Sequence, residues 1–335
     1  MGELSVTILV PSYQGEELIG DALKSVLSQS FGDYNIIVQD DCSKDGTEDA
    51  VRSLQDNRIQ FFKNSKNLGY PKNLEEARKK VTGDIIYLMA QDDILGCDAI
   101  LNTYNAFKLS PEIGAVTRPY FWFEGDVSVP IRAKEQLNPN QDEIVYISDP
   151  LPRILSVFKT LDQLSGLAFR TCYMDLPFHE DIFPCHVYPF ASIFKKHPVV
   201  FLKDYNLAVR VGYSQSRHVS SIYNKSPMKS WYELFNNVYF EDEFKEFRQQ
   251  CISDFVANNY VGLVQIRNFA RYRYLWREIF YLLKYRWHNI FNPQFWFFSL
   301  GCILMPPSWL IPLVDLYKSK YNSRRLSHIK FRYVL

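Results

Sequence analysis

The feature of this chain that most restricts its fold is an alternation of short apolar runs with helical patterns near its beginning. Between the runs, apolar side chains recur at helical spacing, as at Leu18, Ala22 and Val26. Short runs rich in β-branched and aromatic residues are typical of buried strands. The alternation therefore predicts an α/β fold with a mostly parallel sheet and helices on both faces. The predicted strands are residues 6–10, 34–38, 59–62 and 85–89.

Two local signals predict where helices begin. Asp45, followed by Glu48 three residues later, predicts a capping box at the start of the second helix. Pro71 is expected in the first turn of the third helix, where its missing N–H costs no hydrogen bond.

Two of the predicted strands end at paired carboxylates. Asp40 and Asp41 follow the second strand, and Asp92 and Asp93 follow the fourth. Open α/β sheets bind ligands outside the carboxyl ends of their strands, so we expect both pairs to line one crevice. These charges would repel one another unless a cation met them, and a hard divalent ion bound to a diphosphate fits that demand. The alternative is a solvated turn in which Asp93 caps the next helix, and the second Asp pair favours the crevice.

Composition and missing motifs exclude several function classes. The net charge of +1 provides no field that would attract nucleic acid. The six cysteines form no CxxC pair, which argues against a disulfide framework or a zinc site and suits a reducing compartment. No GxGxxG follows the first strand and no GxxxxGK[ST] occurs, which disfavours a dinucleotide-dependent oxidoreductase and a P-loop enzyme. The first apolar run ends at Pro11 and is too short for a signal peptide.

Four sequence blocks, taken together, resemble glycosyltransferase family 2. They are VTILVPSYQGEELIGDALKSVLSQSF, IIVQDDCSKDGT, NLGYPKN and GDIIYLMAQDD. Their order and spacing match the family over about residues 5–95, and weakly to about residue 215. The resemblance implies a Rossmann-like GT-A fold and inverting transfer from a nucleotide-activated sugar. The relatives that it indicates build bacterial envelope polysaccharides such as O-antigen.

The resemblance also implies where the nucleobase of the donor binds. The family uses the end of the first strand and the first Asp of the DDxS block. In this sequence those positions are Pro11, Ser12, Tyr13 and Asp40.

The metal-binding DxD block of the family departs from its pattern here. The sequence reads Ala90-Gln91-Asp92-Asp93, so Ala90 stands where the family has its first Asp. Asp92 keeps the position of the metal ligand, for Mn²⁺ or Mg²⁺. The usual contact of the first Asp with ribose is lost, and Gln91 or Asp93 can substitute for it.

Inverting transfer also requires a base that takes the proton of the acceptor hydroxyl. The family places an acidic pair at the head of a helix about 90 residues after the DxD block, and Glu180-Asp181 lies at that distance. We expect Asp181 to be the base and Glu180 its neighbour. The alternative is an ordinary acidic helix start. Lys72 and Arg217 are expected to reach the diphosphate, although both fit solvated surface charges equally well.

The last third of the chain has a different character. In residues 271–289, cations alternate with aromatic residues and leucines. Residues 295–314 contain no charged side chain. Pro306, Pro307 and Pro312 interrupt that apolar segment, and cations flank it on both sides. This pattern predicts an interfacial or re-entrant hairpin on the cytoplasmic face of the inner membrane, peripheral or monotopic. A buried core segment or a dimer interface is the alternative.

Four segments with separate roles are expected. Residues 1–115 would bind the nucleotide sugar, residues 116–220 would carry the acceptor site and the base, residues 221–290 would be a helical extension, and residues 291–335 a membrane-associated hairpin with a basic tail. We expect the metal-dependent transfer of one sugar to a glycan that is linked to a polyprenyl diphosphate. A sugar nucleotidyltransferase and an inactive membrane-attached scaffold are the alternatives, the second because of Ala90.

Overall fold

The computed structural model describes residues 2–212, 220–317 and 325–335. These residues form two compact units. The first comprises residues 1–211 together with 326–335, and the second comprises residues 212–325. The four-segment division expected from the sequence stays a prediction. That division did not anticipate that residues 326–335 belong to the first unit.

The first unit is built on an eight-stranded sheet with the strand order β3-β2-β1-β4-β10-β6-β11-β9. Strands β1 to β4 pair in parallel, while β10 runs antiparallel to both of its neighbours. The α/β fold predicted from the sequence is confirmed. The strands of this sheet are β1 (Val6–Ser12), β2 (Tyr34–Asp40), β3 (Ile59–Lys63), β4 (Ile85–Leu88), β6 (Ala115–Thr117), β9 (Glu143–Val145), β10 (Ala168–Arg170) and β11 (Val199–Phe201).

Six α-helices accompany this sheet. Pro71 lies in the first turn of α3, as its sequence context predicts. The capping box predicted at α2 is wrong, because Glu48 pairs with Arg52 instead of reaching back to the helix start. Asp45 still accepts hydrogen bonds from the backbone and hydroxyl of Thr47. The helices are α1 (Ile19–Leu27), α2 (Thr47–Arg52), α3 (Tyr70–Arg78), α4 (Ala99–Leu109), α5 (Leu151–Phe158) and α6 (Val187–Lys196).

A smaller sheet in the same unit has the order β5-β12-β7-β8. Its β5 follows directly after Asp93 and lies at one edge, where it pairs with β12. The side chains of Ile94, Phe121 and Phe123 form a separate small core on one face of this sheet. The strands are β5 (Ile94–Leu95), β7 (Phe121–Phe123), β8 (Arg132–Ala133) and β12 (Leu207–Arg210).

The second unit is helical in its described residues. Met305 and Pro306 separate a helix that ends at Leu304 from one that begins at Pro307, so the predicted break at the proline pair is confirmed. Among the residues described, no helix combines the length and apolar character needed to cross a membrane. The helices are α7 (Pro227–Val238), α8 (Lys245–Cys251), α9 (Gly262–Phe269), α10 (Tyr272–Tyr285), α11 (Pro293–Leu304) and α12 (Pro307–Leu316), and a π-helical turn spans Ile252–Val256.

Candidate active site

The carboxyl ends of β1, β2 and β4 meet at one edge of the large sheet. Ser12 is the register partner of Asp40, and its hydroxyl lies 3.3 Å from an Asp40 carboxylate oxygen. Leu9 is paired with Leu88, near the end of β4. Parallel pairing therefore brings the residues after all three strands to the same edge, as predicted.

The first carboxylate pair is engaged in the local structure. Asp40 is fully buried and accepts hydrogen bonds from the backbone and hydroxyl of Ser43. Asp41 accepts from the backbone N–H groups of Leu68, at 2.7 Å, and Gly69, at 2.8 Å. Asp41 thereby fixes the loop that leads into α3, and Gly69 is suited to that loop because its φ is +83°.

Gln91 connects the end of β4 to the end of β1. Its side-chain oxygen accepts from the backbone N–H of Tyr13 at 2.9 Å, and its amide nitrogen donates to the carbonyl of Tyr13 at 3.0 Å. A Cβ atom on Gly15 would lie 2.4 Å from that oxygen, so a glycine is needed for this approach. Gln91 was predicted as a substitute contact to ribose, but its amide is occupied by Tyr13.

Asp93 is buried and has three hydrogen-bond donors. Gln163 and Ser165 each donate to one carboxylate oxygen at 2.6 Å, and the backbone N–H of Arg210 donates to the other at 3.0 Å. Burial, and then the charge of Asp92, raise the pKa of the Asp93 carboxyl above its usual range. Asp93 does not cap the next helix, because α4 begins at Ala99.

Asp92 directly precedes Asp93 in the sequence but has a different environment. It is half-buried, and among the described residues its carboxylate has no side-chain hydrogen-bond partner. Desolvation raises the pKa of this carboxyl, and the nearby Arg210 guanidinium partly opposes that rise. The Arg210 guanidinium donates to the backbone carbonyl of Asp92 at 3.1 Å and stacks over Phe123.

The acidic pair expected to contain the base does not begin a helix. The following helix, α6, starts only at Val187, so the predicted helix-head position is wrong. Glu180 is exposed and lies 3.7 Å from the amine of Lys72. Asp181 is 6% exposed, and its backbone N–H donates to the Nδ1 atom of His179 at 3.0 Å. The two acids therefore lie close to the first turn of α3, which carries Lys72.

One of the predicted site residues stays without a structural description. Arg217 lies outside the described residues. The described part of the chain contains no group of three or more His, Cys, Asp or Glu side chains arranged to hold a metal ion. The partners of Asp93 were not predicted, because Gln163 and Ser165 are ordinary polar residues in the sequence and only the fold brings them to the acid pair.

Comparison with known proteins identifies the domain that contains this site. Residues 7–158 match the family model for glycosyl transferase family 2. Residues 7–158 are a family 2 glycosyltransferase domain. The protein is accordingly a glycosyltransferase, and this assignment disfavours the nucleotidyltransferase alternative.

Individual relatives of the glycosyltransferase are distant. It is 25% identical over 271 residues to the UDP-Glc:alpha-D-GlcNAc-diphosphoundecaprenol beta-1,3-glucosyltransferase WfgD of Escherichia coli, covering 80% of this chain and 93% of WfgD. It is 33% identical over 93 residues to the GalNAc(5)-diNAcBac-PP-undecaprenol beta-1,3-glucosyltransferase of Campylobacter jejuni. That second alignment covers 27% of this chain and 30% of the relative.

Solved structures confirm the GT-A fold of the glycosyltransferase. TarS 1-349 of S. aureus in complex with UDP superposes with a TM-score of 0.62 at 17% identity, covering 97% of this chain and 90% of that one. The mannosyltransferase PcManGT from Pyrobaculum calidifontis, in complex with GDP-Man and Mn²⁺, gives a TM-score of 0.53 at 14% identity, covering 91% and 87%.

Proposed function

We propose that this glycosyltransferase moves one sugar from a nucleoside-diphosphate sugar to a hydroxyl of a glycan held on a polyprenyl diphosphate, with inversion. The observation that carries the proposal is the desolvated carboxylate of Asp92, which no described side chain hydrogen-bonds, at the strand ends of a family 2 domain. The acceptor class is supported by the names of the Escherichia coli and Campylobacter jejuni relatives, which both specify undecaprenol-linked diphosphates. Such acceptors belong to the synthesis of envelope polysaccharides.

The donor would bind along the strand ends. Tyr13 is 38% exposed and stands beside Pro11 and Ser12, which makes this edge accessible to a nucleobase. The buried Asp40, whose carboxylate lies 3.3 Å from the Ser12 hydroxyl, would belong to the same subsite. Lys72 would bind the diphosphate of the donor. Arg217, which lies outside the described residues, is proposed to do the same.

Gln91 and Asp93, which the sequence also assigns to the donor, are both engaged in the protein. Gln91 binds the backbone of Tyr13, and Asp93 accepts from Gln163 and Ser165. We therefore expect them to act on the donor chiefly by fixing the residues around it.

The residues at the acid pair fit a hard divalent cation such as Mn²⁺ or Mg²⁺. Such ions are usually held by one or two carboxylates and by substrate phosphates, and Asp92 offers a carboxylate that no described side chain occupies. When bound, the cation would supply positive charge to the diphosphate as it leaves. The carboxylate of Asp93 would contribute less, since its oxygens already accept three hydrogen bonds.

Asp181 is the proposed base. As the acceptor oxygen forms its bond to the anomeric carbon, the bond from that carbon to the diphosphate breaks and Asp181 receives the hydroxyl proton. Glu180 is less suited, because its exposed carboxylate pairs with Lys72. Its neighbour Asp181 is nearly buried, and the contact to His179 fixes its backbone.

The second unit would hold the enzyme on a membrane surface. Helix α11 exposes Phe297 and Leu304 at 74% and 76%, and α12 exposes Trp309 at 68%. Exposed aromatic and leucine side chains on interfacial helices enter the boundary between headgroups and acyl chains. Cations on α10, such as Lys284, would face anionic lipid of the inner leaflet, which is consistent with the cytoplasmic side.

The proposal is tested by assaying the purified chain with a panel of nucleotide sugars, UDP-glucose first, and a synthetic GlcNAc-diphosphate lipid. We expect transfer in Mn²⁺ or Mg²⁺ that EDTA abolishes, and an inverted linkage by NMR. Transfer that tolerates exhaustive chelation would contradict the metal. Efficient transfer to water-soluble glycans but not to the lipid would contradict the acceptor.

A further inference from the structure

Residues 326–335 pack on the small sheet of the first unit, although the second unit precedes them in the chain. Their side chains alternate in the manner of an extended strand. Ile329, Phe331 and Tyr333 pack against the small core, whereas Lys330 and Arg332 are exposed. The segment is therefore amphipathic with a period of two residues, and its apolar face covers the sheet.

The closest contacts of this segment are made just after β5. The backbone N–H of Cys97 donates to the carbonyl of Arg332 at 2.9 Å. A Cβ atom on Gly96 would lie 3.2 Å from a ring carbon of Phe331 and 3.3 Å from the Arg332 carbonyl oxygen. The Phe331 ring meets the Phe121 ring edge-on, with centroids 5.0 Å apart. The segment thus contacts the chain directly after the C-terminal end of β5.

Strand β5 is also connected to the acid pair. It begins immediately after Asp93, is only two residues long, and lies at the edge of the small sheet. On its inner side it pairs with β12, whose Arg210 donates to Asp93. Two bridging pairs are few for a short edge strand. On the α1 side, the Leu95 backbone N–H donates to the Ser25 hydroxyl at 3.1 Å and the Gln29 amide donates to the Gly96 carbonyl at 2.8 Å. On the other face, where Ile94 lies in the small core, Phe331 supplies the packing.

We propose that Phe331 is a positioning residue for Asp92 and Asp93, acting through β5. The side chain of Arg332 contributes less, because its ion pair with Asp98 joins two exposed groups. The hydrogen bond from Cys97 goes to the backbone carbonyl of Arg332, so it does not depend on that side chain. The expected effect on donor binding rests on the proposed function. The expected effect on β5 does not.

The test compares Phe331→Ala with Phe331→Leu, which keeps most of the apolar contact, and with Lys330→Ala, an exposed control on the same segment. Hydrogen–deuterium exchange on the full chain reports residues 92–98, with residues 34–40 of β2 as the internal reference. Titration with UDP in the presence of Mn²⁺ reports the site.

For Phe331→Ala we expect exchange at residues 92–98 to rise about tenfold with β2 unchanged, and UDP affinity to fall about tenfold, since small displacements of site groups are costly. The Leu and Lys330 variants should match the wild type. If Phe331→Ala does not fold, Phe331→Val carries the comparison.

Unchanged exchange at residues 92–98 in a folded Phe331→Ala or Phe331→Val variant overturns the proposal. Equal loss in Lys330→Ala does so as well, because it would reflect the segment's charge or general integrity. A wild type that binds none of UDP, GDP and dTDP with Mn²⁺ refutes the proposed donor chemistry instead, and the exchange experiment then decides the role of Phe331 alone.

Discussion

Asp92 and Asp93 are adjacent in the sequence, yet their carboxylates meet different surroundings. Asp93 is enclosed by Gln163, Ser165 and the backbone of Arg210, while the Asp92 carboxylate has no side-chain partner among the described residues. The hydrogen bonds of Asp93 are used within the fold, whereas the Asp92 carboxylate accepts from its own backbone N–H and leaves its remaining acceptor positions to a ligand. The difference predicts different consequences of mutation.

Asp92→Asn is expected to weaken Mn²⁺ binding and to lower kcat about 100-fold or more, because a neutral amide is a poor ligand for a hard cation. Since the pKa of Asp92 is raised, protons should also compete with the metal as the pH falls below neutral. Metal titrations at pH 7 and pH 5.5 measure both effects. Asp33→Asn, at an exposed site, is the control, and an Asp92→Asn enzyme with normal metal dependence would contradict the assignment.

Asp181→Asn is expected to leave donor binding nearly unchanged while lowering kcat about 10²–10⁴-fold, the usual contribution of a general base. Glu180→Gln is the matched control, since it removes a neighbouring exposed carboxylate. Steady-state kinetics with saturating donor separate the two variants. If Glu180→Gln is inactive and Asp181→Asn is active, then Glu180 and not Asp181 is the base.

The position of the acidic residues at the strand ends could be predicted from the sequence, but their hydrogen-bond partners could not. The strand ends identified Asp40 and Asp92 because strand order brings their carboxyl ends together. The engagement of Gln91 by Tyr13 and of Asp93 by Gln163 joins residues separated by 78 and 70 positions. Hydrogen bonds over such separations leave no periodic signal in a single sequence.

Helix α3 is connected to the loop after α5 by a buried histidine. His186 is 5% exposed, and its Nε2 atom lies 2.9 Å from the carbonyl of Leu161, so Nε2 carries the proton and donates. The Nδ1 atom then accepts from the hydroxyl of Tyr70 at 3.3 Å. Burial lowers the pKa of His186 from 6.5 to about 4.

This histidine makes the stability of the first unit dependent on pH. The unfolded chain binds a proton at His186 below pH 6.5, whereas the folded chain resists it to about pH 4, so stability is lost as the pH falls through that window. Between pH 7 and 5 the loss from this group is about 2 kcal/mol at 1.36 kcal/mol per pH unit. Urea unfolding at both pH values measures it.

His186→Gln is the control for that prediction, because glutamine can donate to Leu161 and accept from Tyr70 without titrating. The variant should lose about 2 kcal/mol less than the wild type over the same interval. Equal losses in the two proteins would show that His186 titrates normally in the folded state.

Elements with a long pattern could be predicted, and short ones that depend on tertiary pairing could not. The four parallel strands and α3 have clear apolar periods or a helix-start signal. Strand β5 has two residues, and it exists because Leu95 and Ile94 pair with β12. The start of α6 was predicted too early, because the acidic residues favoured at a helix start are equally compatible with the turn that precedes Val187.

On the scale of the whole molecule, the exposed apolar side chains of α11 predict membrane binding. Phe297→Ser together with Leu304→Ser should weaken binding to vesicles of phosphatidylglycerol and phosphatidylcholine by at least about 100-fold, because each buried side chain contributes roughly 1.5–3 kcal/mol. Co-sedimentation measures the binding. Leu109→Ser with Val129→Ser, which removes exposed apolar groups from the first unit, is the matched control.

Equal binding of both double variants would contradict a membrane role for α11. Concentration-dependent self-association of the wild type that is lost only in the α11 variant would support a dimer interface instead. Point variants are preferable to a truncation after Asn289, because that truncation would also remove Phe331 from the first unit.

The return of residues 326–335 to the first unit has a consequence for biosynthesis. The second unit is an insertion within the first, so the ribosome makes residues 212–325 before the strand-like segment that covers Phe121 and Phe123. Until that segment emerges, the small sheet exposes its apolar face and is a target for chaperones. The exposed apolar helices are therefore synthesised before the catalytic unit can be completed, and a nascent chain that stalled between the two would carry the proposed membrane-binding helices without a complete first unit.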